Sequence, residues 1–418
     1  MKDFNEKLVY LSSYINVLFL NRWSSSFFNK VENEDDVIIC ANYLGGYAVK
    51  YPKLYFLISY VLYALTPFIA ILYYTYLFID TSIKYLLHRK RNTSYNRLFL
   101  YTSRSITKTA KRINLFNAND YILLFPYEKC VDIHPKQHLK IYDLITFDSI
   151  VKSFCLSIEI FFIVSKRFGY KRSIYSLNAF KWFLLCQGLK NIDKDIELFM
   201  SNQKDRWAML IDKLPNKTNI IQHGTNIIRD LPNPNCKNLI TFCKEDNLYT
   251  LIMPIRLSNI NKLFAFTELE AKYILKGEEK CKPLVEIIGY NLQLSETKTN
   301  NPTILIIGNY IENARIEENI IKHLQKYDLT IFLKSHPLID KSKYQDIQSK
   351  YHFNLVDNNF FPCVDLVFSY PSTLALEYES YNINVVYYNE ISENNADIIE
   401  DRIENKLNKF ITRRIDTK

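Results

Sequence analysis

Four short stretches end an apolar, strand-like run on residues that can move a proton or hold an anion. The first is TNIIQHGTN, residues 218–226, where Ile220 and Ile221 give way to Gln222-His223-Gly224-Thr225. A neutral imidazole, with a pKa of about 6.5, can take a proton from a hydroxyl near neutral pH. Gly224 permits a tight turn that would present His223 at the strand end. Gln222 and Thr225 are then candidates for contacts on the acceptor side. Taken alone, His223 has a plainer reading, as a turn histidine bonded to backbone.

The second stretch, TIFLKSHPLID at 330–340, closes a strand on Lys334-Ser335-His336-Pro337. Pro337 keeps His336 out of a helix, and one cation beside one imidazole donor suits a phosphate. The third, DLVFSYPSTLALEYES at 365–380, runs from a strand through Ser372-Thr373 into a helix. Free amides and the positive dipole end at such a helix start, with two hydroxyls beside them, form an anion site. Glu377, one turn on, could accept from a ribose diol. The fourth, ILIIGNYIENAR at 304–315, is a strand, a loop at Gly308 and a helix. A ligand could approach Gly308 closely, but the loop lacks the GxGxxG pattern of a dinucleotide site. A loop His-Pro, an ordinary helix cap and a surface acid are the competing readings of these residues.

The elements that must carry these residues alternate. Strands are predicted at Asp36–Ala41, Leu98–Thr102, Tyr121–Pro126, Ile196–Met200 and Asn219–Gln222 in the first half of the chain. In the second half they fall at Leu263–Phe266, Val285–Ile288, Thr303–Ile307, Leu329–Lys334, Phe353–Val356, Leu366–Phe368 and Asn384–Tyr388. Helical periods lie between them, at 147–166, 179–189, 206–214, 268–276, 315–327, 343–350 and 373–381, and Thr267-Glu-Leu-Glu270 reads as a capping box. Such alternation predicts an α/β fold with parallel sheets. In open α/β sheets ligands sit beyond the carboxyl ends of strands, where all four stretches fall. A chain of 418 residues predicts two domains. Their seam is placed either near Pro254 or in the polar stretch Ser295–Pro302.

With 48% hydrophobic and 15% aromatic residues the chain is not disordered, and its net charge of +9 is scattered apart from His88-Arg89-Lys90-Arg91. Basic residues do not gather with aromatics on one element, so nucleic acid is not an expected partner. Eight cysteines form no CxxC pair, which fits a reduced, cytoplasmic compartment and no bound metal. Residues 54–79, LYFLISYVLYALTPFIAILYYTYLFI, carry no charge over 26 positions and precede the basic run. That length spans a bilayer as a helix, yet Pro67 interrupts it. The favoured reading is a re-entrant or interfacial helical hairpin, with a true span and a buried pair of helices as alternatives. A peripheral or monotopic place at the inner membrane surface is expected from it.

In their order, the HGT, HP and Ser-Thr motifs resemble those of the bacterial GT-B-fold transferases that build surface polysaccharide. These include capsule and lipopolysaccharide glycosyltransferases, bacterial sialyltransferases and the glycerophosphotransferases of teichoic acid synthesis. His336-Pro337 and Ser372-Thr373 match the family's two donor-binding motifs, and His223-Gly224-Thr225 matches the motif whose His is proposed as base in the teichoic acid enzymes. The resemblance covers roughly residues 200–390. It implies two Rossmann-type domains facing a central cleft, divided as 1–255 on the acceptor side and 256–418 on the donor side, with a last helix at Ala396–Arg414 packing back on the first domain. It further implies a metal- and cofactor-independent glycosyltransferase acting in capsule, O-antigen or lipopolysaccharide synthesis. In it a CMP- or UDP-type nucleotide sugar is held by Gly308, Lys334, His336, Ser372, Thr373 and Glu377, and His223 deprotonates a glycan or lipid-linked acceptor. The acidic Asp/Glu-Asp/Glu-Gly base motif of the sialyltransferases is missing. A transferase of glycerol or ribitol phosphate from a CDP donor is the alternative, followed by a non-catalytic assembly or export protein.

Overall fold

The computed structural model describes residues 5–14, 52–90, 94–101, 104–124, 134, 137–169, 171–201, 210–222, 224, 227–228, 240–243, 248–251, 260–275, 282–290, 292–299, 301–308, 315–336, 344–357, 359–370 and 372–387. The expected strand at 36–41, residues 206–209 of the expected helix at 206–214 and the final helix at 396–414 lie outside the described residues, as do His223, Thr225 and Pro337. The chain divides into two compact units, one of residues 1–223 with 252–288, the other of 224–251 with 289–418.

The first unit holds helices α1 (6–14) and α2 (Pro52–Leu87), then β1 (Arg97–Leu100), α3 (Arg104–Arg112), β2 (Tyr121–Leu124), β3 (His138–Lys140), α4 (Ile141–Leu144) and α5 (Phe147–Phe168). A 3-10 segment (Lys171–Asn178), α6 (Ala179–Lys190), β4 (Glu197–Met200) and β5 (Thr218–Ile221) follow. Beyond residue 251 come β9 (Ile260–Ala265), α7 (Glu268–Ile274) and β10 (Leu284–Ile287). The strands make one seven-stranded sheet in the order β10-β9-β5-β4-β1-β2-β3, every pair parallel. Alternate residues of each strand serve opposite faces. Leu98, Leu100, Leu198, Met200, Ile220 and Leu263 face the core under α2, α5 and α6, whereas Phe99, Phe199, Ile221 and Phe264 face α3. Burial on both faces is why these strands read as continuous apolar runs.

The second unit begins with β6 (Ile227–Ile228), β7 (Ile240–Cys243) and β8 (Leu248–Leu251), a small antiparallel sheet in the order β6-β8-β7. It continues with β11 (Thr303–Ile307), α8 (Arg315–Leu324), β12 (Thr330–Lys334), α9 (Gln345–Lys350), β13 (Asn354–Leu355), β14 (Leu366–Ser369), α10 (Thr373–Ser380) and β15 (Asn384–Tyr387). Its five strands are all parallel, in the order β13-β12-β11-β14-β15. Ile304, Ile306, Leu333 and Phe368 pack on α8 and α9, while Leu305, Ile307 and Val367 pack with Tyr378 of α10. The chain winds outward from β11 on one side through β12 and β13, then crosses back to lay β14 on the other. The direction of winding therefore reverses between β11 and β14.

Three expectations change. The α/β class and the parallel sheets hold, but β9 pairs with β5 and β10 with β9, so both belong to the first sheet. The division after them falls at 288/289 rather than at 255/256, close to the polar stretch 295–302, and residues 224–251 belong with the later unit. The apolar segment is not a hairpin: α2 runs unbroken for 36 residues with Pro67 inside it. An internal proline costs about 3 kcal/mol in a helix, and the burial of Ala70, Tyr74 and Leu77 on the following turns offsets it. At Thr267 the hydroxyl accepts from the Glu270 N–H at 3.1 Å, which caps α7 and is one of the two bonds of the expected capping box.

Candidate functional site

Strand register brings the second unit's candidate residues together. Ile307 pairs with Lys334 on one side and with Ser369 on the other, so β11, β12 and β14 end level. Gly308, Ser335-His336 and Tyr370 consequently leave the sheet from one edge. That edge includes the reversal between β11 and β14, where an open parallel sheet leaves a crevice for a ligand.

After β14 the chain turns directly into α10. Ser372 is its cap in extended conformation, and the Ser372 hydroxyl accepts from the Ala375 N–H at 3.1 Å. Ser369 donates from Oγ to the Tyr370 carbonyl at 2.7 Å and lies 3.4 Å from Ser372 Oγ. Two neighbouring hydroxyls, Ser369 and Ser372, thus lie at the helix start. A methyl group built on Gly224 would lie 3.8 Å from Thr373 Oγ1. The glycine of the HGT stretch therefore sits beside the Ser-Thr pair, about 150 positions further along the chain. Glu377 is buried rather than a surface acid.

His336 is half-buried, and burial holds its imidazole below the usual histidine range, so at neutral pH it is uncharged. Lys334 does something different from what its position suggested. Its Nζ donates to the carbonyls of Asp357 at 2.7 Å and Phe360 at 2.8 Å and lies 4.1 Å from the centre of the Phe361 ring. It fastens the segment after β13 to the end of β12, with its ammonium committed to that loop.

At Gly308 a methyl group would meet Tyr344 Oη at 2.7 Å, Glu317 Oε1 at 3.3 Å and the Lys334 carbonyl at 3.4 Å. The Gly308 N–H donates to that carbonyl at 2.9 Å. The glycine is required, then, by the protein's own side chains packed against it. Tyr344 and Glu317 are both buried. Burial first, then the charge of Glu317 and the nearness of Tyr370, push the Tyr344 phenol well up. Sequence reading missed Tyr344, Glu317, Ser369 and Tyr370 as parts of this edge. Of these only Ser369 and Tyr370 carried a signal, being the first residues where the β14 run turns polar.

In the first unit Gln222 is fully buried. Its N–H donates to the Phe264 carbonyl and its Oε1 accepts from the Phe266 N–H, both at 2.9 Å. Gln222 therefore stitches β5 to β9, and the acceptor contact proposed for it is not what its amide oxygen does. Among the described residues no group of three or more His, Cys, Asp and Glu could hold a metal ion.

No protein-family model and no curated protein matches the chain. Among solved structures it is similar to the wall teichoic acid polymerase TagF, at 12% identity over 78% of each chain, with a TM-score of 0.34. It is similar to HepE from Anabaena in complex with UDP and glucose, at 11% identity over 70% of this chain and 80% of that one, TM-score 0.36. A third likeness is to the UDP-GlcNAc 2-epimerase from Neisseria meningitidis bound to UDP-GlcNAc, at 11% identity over 76% of this chain and 90% of that one, TM-score 0.36. Likenesses this distant assign no role.

Proposed function

We infer that the chain is a GT-B-type transferase that takes a sugar from a nucleotide-activated donor, of CMP or UDP type, and adds it to a capsule, O-antigen or lipopolysaccharide glycan. The observation that carries this reading is the level ending of β11, β12 and β14. It gathers Gly308, His336 and the Ser372-capped start of α10 at the reversal of a parallel sheet. In this reading the donor's phosphates lie on the amides of α10 and beside the imidazole of His336, where a developing negative charge meets fixed donors. Thr373 adds a hydroxyl, and Glu377 accepts from the ribose. Lys334 acts at one remove by holding the 357–361 loop. His223, directly before Gly224 in the chain, takes the proton of the acceptor hydroxyl as general base.

The nearness of Gly224 to Thr373 favours a second reading, transfer of a polyol phosphate from CDP-glycerol or CDP-ribitol, because it joins the HGT stretch to the Ser-Thr pair. Incubation with CMP-, CDP-, UDP- and GDP-linked donors, followed by measurement of nucleotide release, separates the two. A CMP or UDP sugar as the donor consumed supports the first reading, and CDP-glycerol or CDP-ribitol the second. Turnover is expected to survive EDTA. Absence of thermal stabilisation by every nucleotide in the panel sinks the transferase reading and leaves a non-catalytic assembly protein.

A further inference from the structure

The surface of α2 carries more apolar area than a helix of a soluble sheet protein has use for. One face, with Thr66, Ala70, Tyr74, Leu77 and Thr81, is buried. It packs on α5 through Phe78 against Phe154, ring centres 5.0 Å apart, and on the 3-10 segment through Tyr74 Oη, which donates to the Ser176 carbonyl at 2.6 Å. The opposite face carries Phe68, Leu72, Tyr76, Ile79, Ile83 and Leu86 at helical spacing, every one exposed, with Phe68 at 67%, Leu72 at 70% and Leu86 at 74%. Phe147 of α5, 46% exposed, adds apolar surface beside this helix, its ring centre 6.5 Å from that of Tyr85. A continuous apolar stripe of this kind marks a contact surface.

Charge identifies what it contacts. The stripe runs into Lys84 and then into exposed Arg89 and Lys90, with Arg91 next in the sequence. His88 Nε2 lies 2.6 Å from Asp143 Oδ1, and this pair fixes the end of the helix and the point from which the basic run leaves. Apolar side chains beside a cluster of Lys and Arg match a bilayer that carries anionic headgroups. Length and composition would let residues 64–87 cross a membrane. The packing argues otherwise. A span would carry into hydrocarbon the Asp80–Lys84 ion pair at 2.7 Å and the neighbouring face of α5, where Lys152 is exposed and Glu159 pairs with Lys7 at 2.7 Å, at several kcal/mol for each charge.

We propose that the exposed face of α2 is a monotopic membrane-docking surface, which lies in the plane of an anionic lipid bilayer and holds the first unit against it. This surface is independent of the donor-site reading. The test is flotation of the full chain with neutral phosphatidylcholine vesicles and with vesicles containing phosphatidylglycerol, alongside Leu72→Glu/Ile79→Glu and Arg89→Glu/Lys90→Glu. Each variant's melting curve is compared with wild type to verify folding. Wild type is expected to float with the anionic vesicles and not the neutral ones, and to be released by sodium carbonate. The apolar variant should lose at least tenfold in partitioning, and the basic variant about fivefold per charge removed. Equal binding to both vesicle types, no binding, or unchanged binding by the apolar variant overturns the proposal. So does a dimer that the apolar variant dissociates, which would assign the face to a second copy of this chain. Retention after carbonate overturns the in-plane geometry in favour of a span.

Discussion

The two histidines singled out by their neighbours are assigned different work, and their substitutions should separate it. His336→Ala is expected to weaken nucleotide binding about tenfold, the loss of one good hydrogen bond to a charged group. His223→Ala should leave binding within a factor of about two and lower kcat by 10²–10⁴, the usual range for a general base. Calorimetric titration with the donor nucleotide and steady-state kinetics read the two quantities, and equal loss of binding in both variants would refute the division. His336 carries a pH signature as well. Its folded pKa is depressed by burial, so between that value and the unfolded value of about 6.5 the unfolded chain binds the extra proton. Stability is therefore fully present above about pH 6.5 and is lost as pH falls through the lowered pKa. The melting temperature of wild type should fall more steeply on acidification than that of His336→Gln. Gly308 is subject to a different constraint. With Tyr344 Oη 2.7 Å from a methyl at that position, Gly308→Ala forces the phenol or the strand end to move and should cost about 1–3 kcal/mol, measured by urea unfolding. A variant as stable as wild type would mean that Tyr344 yields freely.

Between the strands, Lys334 ties the loop after β13 to the end of β12, one of the three strand ends from which the candidate residues emerge. Lys334→Met keeps the aliphatic stem but abandons the carbonyls of Asp357 and Phe360. Two bonds from a charged donor are worth about 1.5–3 kcal/mol each, less the cost of burying the ammonium, so a net loss of about 2 kcal/mol in urea unfolding is expected. If stability is unchanged and only donor affinity falls, the lysine serves the ligand and not the loop. These elements also show where sequence reading succeeds. β11, β12 and β14 are buried on both faces, and their apolar runs place them within a residue or two of where they lie. The same logic found α10, because Ser372 must cap whatever helix follows Pro371. What it missed depends on contacts distant in sequence. Nothing local marks Tyr344 as the neighbour of Gly308, or directs the Gln222 amide to Phe266. The two-residue β6 and the strands β7 and β8 are too short and mixed in composition to stand out from loops. In α2, Pro67 looked like the turn of a hairpin because propensity carries no information about the buried face that holds the helix together.

The chain's division into two units follows from which strand pairs with which, and that has a consequence for any attempt to separate them. A cut at 255/256 looks reasonable from the alternation of elements, since it leaves strands and helices on either side. It would, however, part β9 from β5, whose register runs Ile220 to Leu263 and Ile221 to Phe264. All four of these side chains are buried. Residues 256–418 alone would then carry β9 and β10 as a two-stranded ribbon whose β9 edge has lost β5, and such an open edge is a template for aggregation. Residues 1–255 alone would end their sheet on β5, uncovered, while retaining the 224–251 sheet that belongs to the other unit. Neither fragment is expected to be soluble or to melt cooperatively, whereas the intact chain should do both. The boundary at 288/289 fares better for the five-stranded sheet, because β11–β15 and their helices form cores of their own, yet a fragment beginning there lacks Gly224 and its contact with Thr373. Residues 289–418 should therefore fold with a cooperative transition and bind nucleotide more weakly than the whole chain. Circular dichroism melts and nucleotide titration of the three fragments check this, and two soluble, cooperatively melting halves from the cut at 255/256 would show that β9 does not need β5.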